Sequence, residues 1–223
     1  VGGGINSNGT MTISTSTISG NTANGSGGGI HNDSRYGGNF FFTISDSQIT
    51  NNSTKNVGGG INSSGNLTIT NATISGNSST NQGGGINSNG TLTISTSTVS
   101  GNTSNSSGGA INNSGTLTVT NAIISGNKAN SQGGGINSGG TLNVSNSTIS
   151  NNTANDNGGG INNSGNITIS NSTISGNSAN TQGGGIRNDS RYGGNFLFTV
   201  TNSTISGNSA GSEGGGVRNG GPL

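Results

Sequence analysis

Cysteine and tryptophan are absent from this chain, and proline and methionine occur once each. Without cysteine there is no disulfide framework, no thiolate nucleophile and no thiol metal site, and the redox compartment is left open. Charge is nearly as scarce: Asp, Glu, Lys and Arg together make up 5% of the 223 residues, and the net charge is +1. Such a chain offers no field to draw in nucleic acid or an anionic membrane, so neither is an expected partner. Aromatic residues are 3% and hydrophobic residues 23% of the whole, too few for a compact globular core. No apolar run approaches the length of a membrane span, and no signal segment is visible. Disordered chains share this poverty of apolar residues, but they are rich in charge and proline, whereas this chain keeps a strict register.

That register is carried by glycine. The phrase Gly-Gly-Gly-Ile, or a close variant, ends at Ile5, Ile30, Ile61, Ile86, Ile111, Ile136, Ile161, Ile186 and Val217. The steps are 25 residues, except for steps of 31 from Ile30 to Ile61 and from Ile186 to Val217. A period in this range is the mark of a solenoid. Within each repeat the apolar residues form four columns, as at Ile86, Leu92, Ile94 and Val99, and the pair two apart has a hydroxyl residue between its members. That alternation belongs to a strand with one apolar and one polar face. The expected fold is all-β: a right-handed parallel β-helix with one 25-residue repeat per coil, three short strands and three turns per coil, and two coils with six-residue insertions. Residues 1–223 then form a single domain of about eight to nine coils, near 40 Å long at a strand spacing of about 4.8 Å. The chain opens at Val1 and closes at Leu223 inside repeats, so it reads as a fragment or protomer of a longer array, with end-to-end self-association as the expected partnership.

One turn has a fixed residue. Three positions after the fourth column stands Asn21, Asn52, Asn77, Asn102, Asn127, Asn152, Asn177 or Asn208, and the residue before it is always Gly or Asn. Gly and Asn accept a left-handed backbone most cheaply. Stacked at successive coils, these amides are expected to form a hydrogen-bonded asparagine ladder, a structural feature rather than a row of ligand-binding groups.

The Gly-Gly-Ala-Ile at 108–111, its Gly-Gly-Gly-Ile siblings and the Ile-Ser-Gly-Asn at 18–21 and 174–177 are similar to the paired GGA[I/L] and FxxN repeats of polymorphic outer-membrane proteins. More broadly the chain resembles the right-handed parallel β-helix passengers of bacterial adhesins and autotransporters. The resemblance covers the whole length, with Ile or Val where the FxxN motif has Phe, and without a translocating barrel. It implies secretion and display on the cell surface, usually for adhesion.

The two long coils carry nearly the same insertion. Asn32 to Phe40 and Asn188 to Phe196 both read Asn-Asp-Ser-Arg-Tyr-Gly-Gly-Asn-Phe and lie 156 residues apart, six coils. All seven aromatics sit in or just after these insertions. Phe42 and Phe198 fall on an inward column, Phe41 and Leu197 on an outward one. Either the loops fold back so that their rings cover the sheet, or Asp33, Arg35, Tyr36, Phe40, Phe41, Asp189, Arg191, Tyr192 and Phe196 form contact loops for a glycan or a neighbouring fibre.

Outward Thr-x-Thr pairs such as Thr91 and Thr93 form a lattice of hydroxyls like the flat face of ice-binding solenoids, interrupted by Asn66, Asn143 and Asn166. Polysaccharide-binding or polysaccharide-degrading β-helices are a further alternative, but a hydrolase or lyase needs clustered carboxylates or bases on adjacent coils. The five acids are Asp33, Asp46, Asp156, Asp189 and Glu213, spaced so that no pair is expected to share a face on neighbouring coils. His31, the single histidine, aligns with Arg187 and Arg218 and reads as a surface variant. No catalytic residue, metal site or cofactor is expected. The function that fits best is an extracellular fibre or adhesin stalk whose rigid rod carries aromatic loops at a fixed interval.

Overall fold

The computed structural model describes residues 2–33, 40–189 and 196–220. Every regular element among them is a strand of two to five residues. No helix of the described residues is long and apolar enough to cross a membrane. One middle coil shows the plan: Ile86–Ser88, Leu92–Ser95, Thr98–Ser100 and Thr103–Ser104 lie on four successive sides. Each pairs in parallel with the matching strand one coil before and one coil after, giving a first sheet of nine strands and three further sheets of eight. The result is a parallel β-solenoid of eight coils, with Val217–Asn219 adding a ninth strand to the first sheet.

Like stacks on like. Ile86 lies between Ile61 and Ile111, Leu92 between Leu67 and Leu117, and Val99 between Ile74 and Ile124. These columns are fully buried through the middle coils and only half-buried at Ile5, Met11, Ile18, Phe198, Val200, Ile205 and Val217. The interior is therefore a thin aliphatic strip supplied by the first three sheets, and burial per coil is set by four side chains.

The fourth sheet corrects the expectation of three strands per coil. Its members are two-residue strands just past the ladder asparagine, such as Ser78–Ser79 paired in register with Ser53–Thr54 and Thr103–Ser104. Their inward residues are Ala23, Ser79, Ser104, Ala129, Ala154 and the like, all buried. A column of small residues gives no apolar signal, so this side of the coil is visible only once its backbone is paired.

Corners are set by backbone conformation. The bend before the ladder asparagine has φ between 55° and 68° in every coil, on Gly20, Asn51, Gly76, Gly101, Gly126, Asn151, Gly176 and Gly207. A second left-handed corner, between the second and third strands, was not expected from the sequence. It holds Thr15, Asp46, Asn71, Thr96, Asn121, Asn146, Asn171 and Asn202 at φ 47° to 51°. Asn and Asp tolerate that conformation through their short polar side chains; threonine does not.

Candidate functional site

The eight corner asparagines form one continuous ladder. Asn102 shows the pattern: its Nδ2 donates to Asn127 Oδ1 at 3.0 Å and to the Ile74 carbonyl at 2.9 Å. Its Oδ1 accepts the backbone N–H of Asn77 at 2.9 Å and Asn77 Nδ2 at 3.0 Å. An amide has two donors and two principal acceptor sites, and all four are used. Amide-to-amide contacts of 2.9–3.1 Å link Asn21, Asn52, Asn77, Asn102, Asn127, Asn152, Asn177 and Asn208 in turn. From Asn52 to Asn177 these side chains are buried and bonded to both neighbouring coils, so they have little to offer a ligand; they hold the coils in register.

A second amide row lies on the outer face of the first sheet. Asn162 Nδ2 donates to Asn137, Asn137 to Asn112, Asn112 to Asn87 and Asn87 to Asn62, at 2.8–2.9 Å. It runs opposite to the corner ladder, donating toward the earlier coil, and its ends fix that direction. Arg187 Nη1, which can only donate, bonds Asn162 Oδ1 at 3.0 Å. At the other end Asn62 Nδ2 stands 3.0 Å from His31 Nδ1, so the imidazole nitrogen is the acceptor. His31 is thus the terminus of a hydrogen-bonded row rather than a surface variant. The missed signal is in the sequence: Asn follows the first-column Ile in the first coil and in five successive coils from Asn62 to Asn162, and gives way to His31, Arg187 and Arg218 in the other three.

Charge gathers at those two ends. His31 Nε2 lies 3.9 Å from Asp33 Oδ2, and Asp33 Oδ1 accepts the Ser64 hydroxyl at 3.1 Å. At the far end Arg187 bonds Asp189, and Arg218 reaches Asp189 at 3.9 Å and Glu213 at 3.5 Å. One guanidinium therefore brings two acids of neighbouring coils together, where the spacing of the acids had promised no such meeting. Asp33 and Asp189 are buried, each against the outward side chain two residues before it. Two clefts lie along this side, one lined by His31, Asp33, Asn62 and Ser64, the other by Asn137, Asn162, Arg187 and Asp189. Among the described residues no three His, Cys, Asp or Glu side chains cluster as metal ligands would.

Of the insertion residues, Arg35, Tyr36, Arg191 and Tyr192 lie outside the described residues. Phe40 is half-buried, while Phe41 is 62% and Phe196 39% exposed. Leu197, the counterpart of Phe41 six coils on, is 60% exposed, and its N–H bonds Asn166 Oδ1 at 2.9 Å. Phe42 is buried in the core and Phe198 packs half-buried against it. The insertions thus leave an apolar side chain standing on the outer face of the second sheet at two places, on the same coils as the charged clusters.

A model of the Chlamydia polymorphic membrane protein repeat matches residues 15–33 and 171–189. The chain is thus a β-helix repeat protein like the polymorphic membrane proteins. Both matches start at a left-handed corner, cross the ladder asparagine and the glycine run, and stop at Asp33 and Asp189. Neither the curated proteins nor the solved structures contain a match to this chain.

Proposed function

We propose that this chain is a rigid structural stalk of a microbial cell surface, extracellular and adhesive, without catalytic activity. The observation that carries this is the recurrence of one pairing at a fixed interval along the solenoid. A buried acid held by a basic side chain and an exposed apolar residue recur together at the second and eighth coils, six strand spacings or about 29 Å apart. A catalytic site has no need of two copies on a rod, whereas a stalk that grips a surface gains from them through multivalency. The two segments similar to the Chlamydia polymorphic membrane protein repeat run from the first and seventh coils into these two and support surface display. The half-buried apolar columns at both ends of the described rod are of the kind a further coil covers, in the same polypeptide or a second copy. Antibody labelling of intact producing cells tests the display: staining equal to that of permeabilised cells is expected, and staining only after permeabilisation would contradict it.

A second function is favoured by one observation, the in-register row of outward Thr43, Thr68, Thr93 and Thr118 on the second sheet. Such a row could order ice-like water. Phe41 and Leu197 protrude from the same face, which confines any flat lattice to the coils between them. Thermal hysteresis at micromolar protein would establish ice binding, and its absence would remove it.

A further inference from the structure

The corner between the first and second sheets has an inward column of its own: Ser63, Ser88, Asn113, Ser138, Asn163, Asn188 and Asn219, paired in register from coil to coil. Where asparagines are consecutive they form a ladder of the same polarity as the buried corner ladder. Asn163 Nδ2 donates to Asn188 Oδ1, and Asn188 Nδ2 to Asn219 Oδ1, both at 3.0 Å. Where serine intervenes the ladder breaks. Ser63 Oγ, Ser88 Oγ, Asn113 Nδ2, Asn113 Oδ1, Ser138 Oγ and Asn163 Oδ1 are all buried and make no hydrogen bond to any described residue. These residues are at most 1% exposed.

Six unpartnered polar atoms in one continuous column are not scattered defects. Leaving a buried donor or acceptor unpaired is costly because its bonds to water are lost and nothing replaces them, so a chain that stacks six of them must satisfy them with something. We propose that the corner holds a file of structural water molecules, one at the level of each of Ser63, Ser88 and Ser138. Geometry and volume both point to water. Serine is shorter than asparagine by roughly one carboxamide less a hydroxyl, a space close to the share of one water, about 30 Å³. At the Ser138 level the water takes the place of the missing amide: it accepts from Asn113 Nδ2, donates to Asn163 Oδ1 and bonds Ser138 Oγ. Three bonds is the usual complement of a buried water. At the Ser88 level the water donates to Asn113 Oδ1 and bonds Ser88 Oγ, and it meets the next water at Ser63. The site is uncharged and selects water by its alternation of donor and acceptor.

The test is a crystal structure of the chain at about 1.5 Å together with a Ser138→Asn variant. Ordered density within hydrogen-bond distance, about 2.7–3.2 Å, of all three serine hydroxyls is expected; three dry levels would overturn the proposal. In Ser138→Asn the new amide should displace its water and join Asn113 to Asn163. Because the variant also frees an ordered water, its Tm should be no lower than that of the parent and up to about 2–4 °C higher for a chain of this size. A crystal structure of Ser138→Asn in which the new amide turns out of the corner would show that the corner has no room for a carboxamide, and would overturn the proposal.

Discussion

Asparagine and threonine are close in size and polarity, yet at single positions of this fold they are not interchangeable. Thr96 sits at φ 48° in a corner where Asn71, Asn121, Asn146, Asn171 and Asn202 occupy the matching coils. The left-handed conformation costs an L-residue roughly 1–2 kcal/mol, and β-branching adds to it, whereas Asn adopts it readily. Thr96 is exposed and leaves no cavity on replacement. Thr96→Asn should therefore stabilise the protein by about 0.5–1 kcal/mol, measured by urea unfolding. The ladder gives the opposite sign. Asn102→Ala strips the Ile74 carbonyl and both donors of Asn77 of partners, so it should cost about 1–3 kcal/mol. Asn105→Ala, three residues on and exposed, should stay within about 0.5 kcal/mol. Equal losses at both positions would show that the stacked amides do not hold the coils together.

At the scale of the element, the glycine run has three positions with three different demands. The first, such as Gly133 at φ 66°, needs the left-handed backbone. The second is closed by contact: a Cβ on Gly134 would lie 2.5 Å from the carbonyl oxygens of both Gly159 and Thr153. The third is looser, since Ala110 occupies it and a Cβ on Gly135 would meet the Asn152 amide carbon at 3.2 Å, with the Gly160 carbonyl as the tight contact at 2.6 Å. Gly134→Ala should cost about 2–3 kcal/mol and Gly135→Ala less than about 1.5 kcal/mol in thermal unfolding. The glycine period made three of the four sides legible, because Ile, Leu and Val columns mark the strands that face the core. The fourth strand stayed hidden because its inward residues are Ala, Ser and Thr, which also fill turns. The left-handed corner at Thr96 was hidden for a related reason: threonine there points to strand, and only the paired backbone overrules it.

For the molecule as a whole, the sequence disclosed the duplication but not its geometry. The insertions were plain from the repeated Asn-Asp-Ser-Arg-Tyr, and the outward register of Phe41 and Leu197 followed from alternation. The burial of Asp33 and Asp189 beside His31 and Arg187, and the amide row that runs from Arg187 to His31, depend on which face each coil presents after a corner, and periodicity alone does not fix that. What the structure adds is a solenoid on which the exposed Phe41 and Leu197 are held about 29 Å apart by six coils of parallel sheet, the two contact points of the proposed stalk. If both points grip one surface, their affinities multiply through the short span between them. The most direct measurement is the binding of the purified chain to a monolayer of cultured cells and to a printed glycan array, comparing it with Phe41→Ser, Leu197→Ser and the double variant. Both side chains are exposed, so all three variants should fold with unchanged Tm. Each single variant is expected to bind at least 10-fold more weakly, and the double variant to lose binding at micromolar protein, as the loss of a two-point attachment requires. Binding by the double variant equal to that of the parent chain would contradict the account.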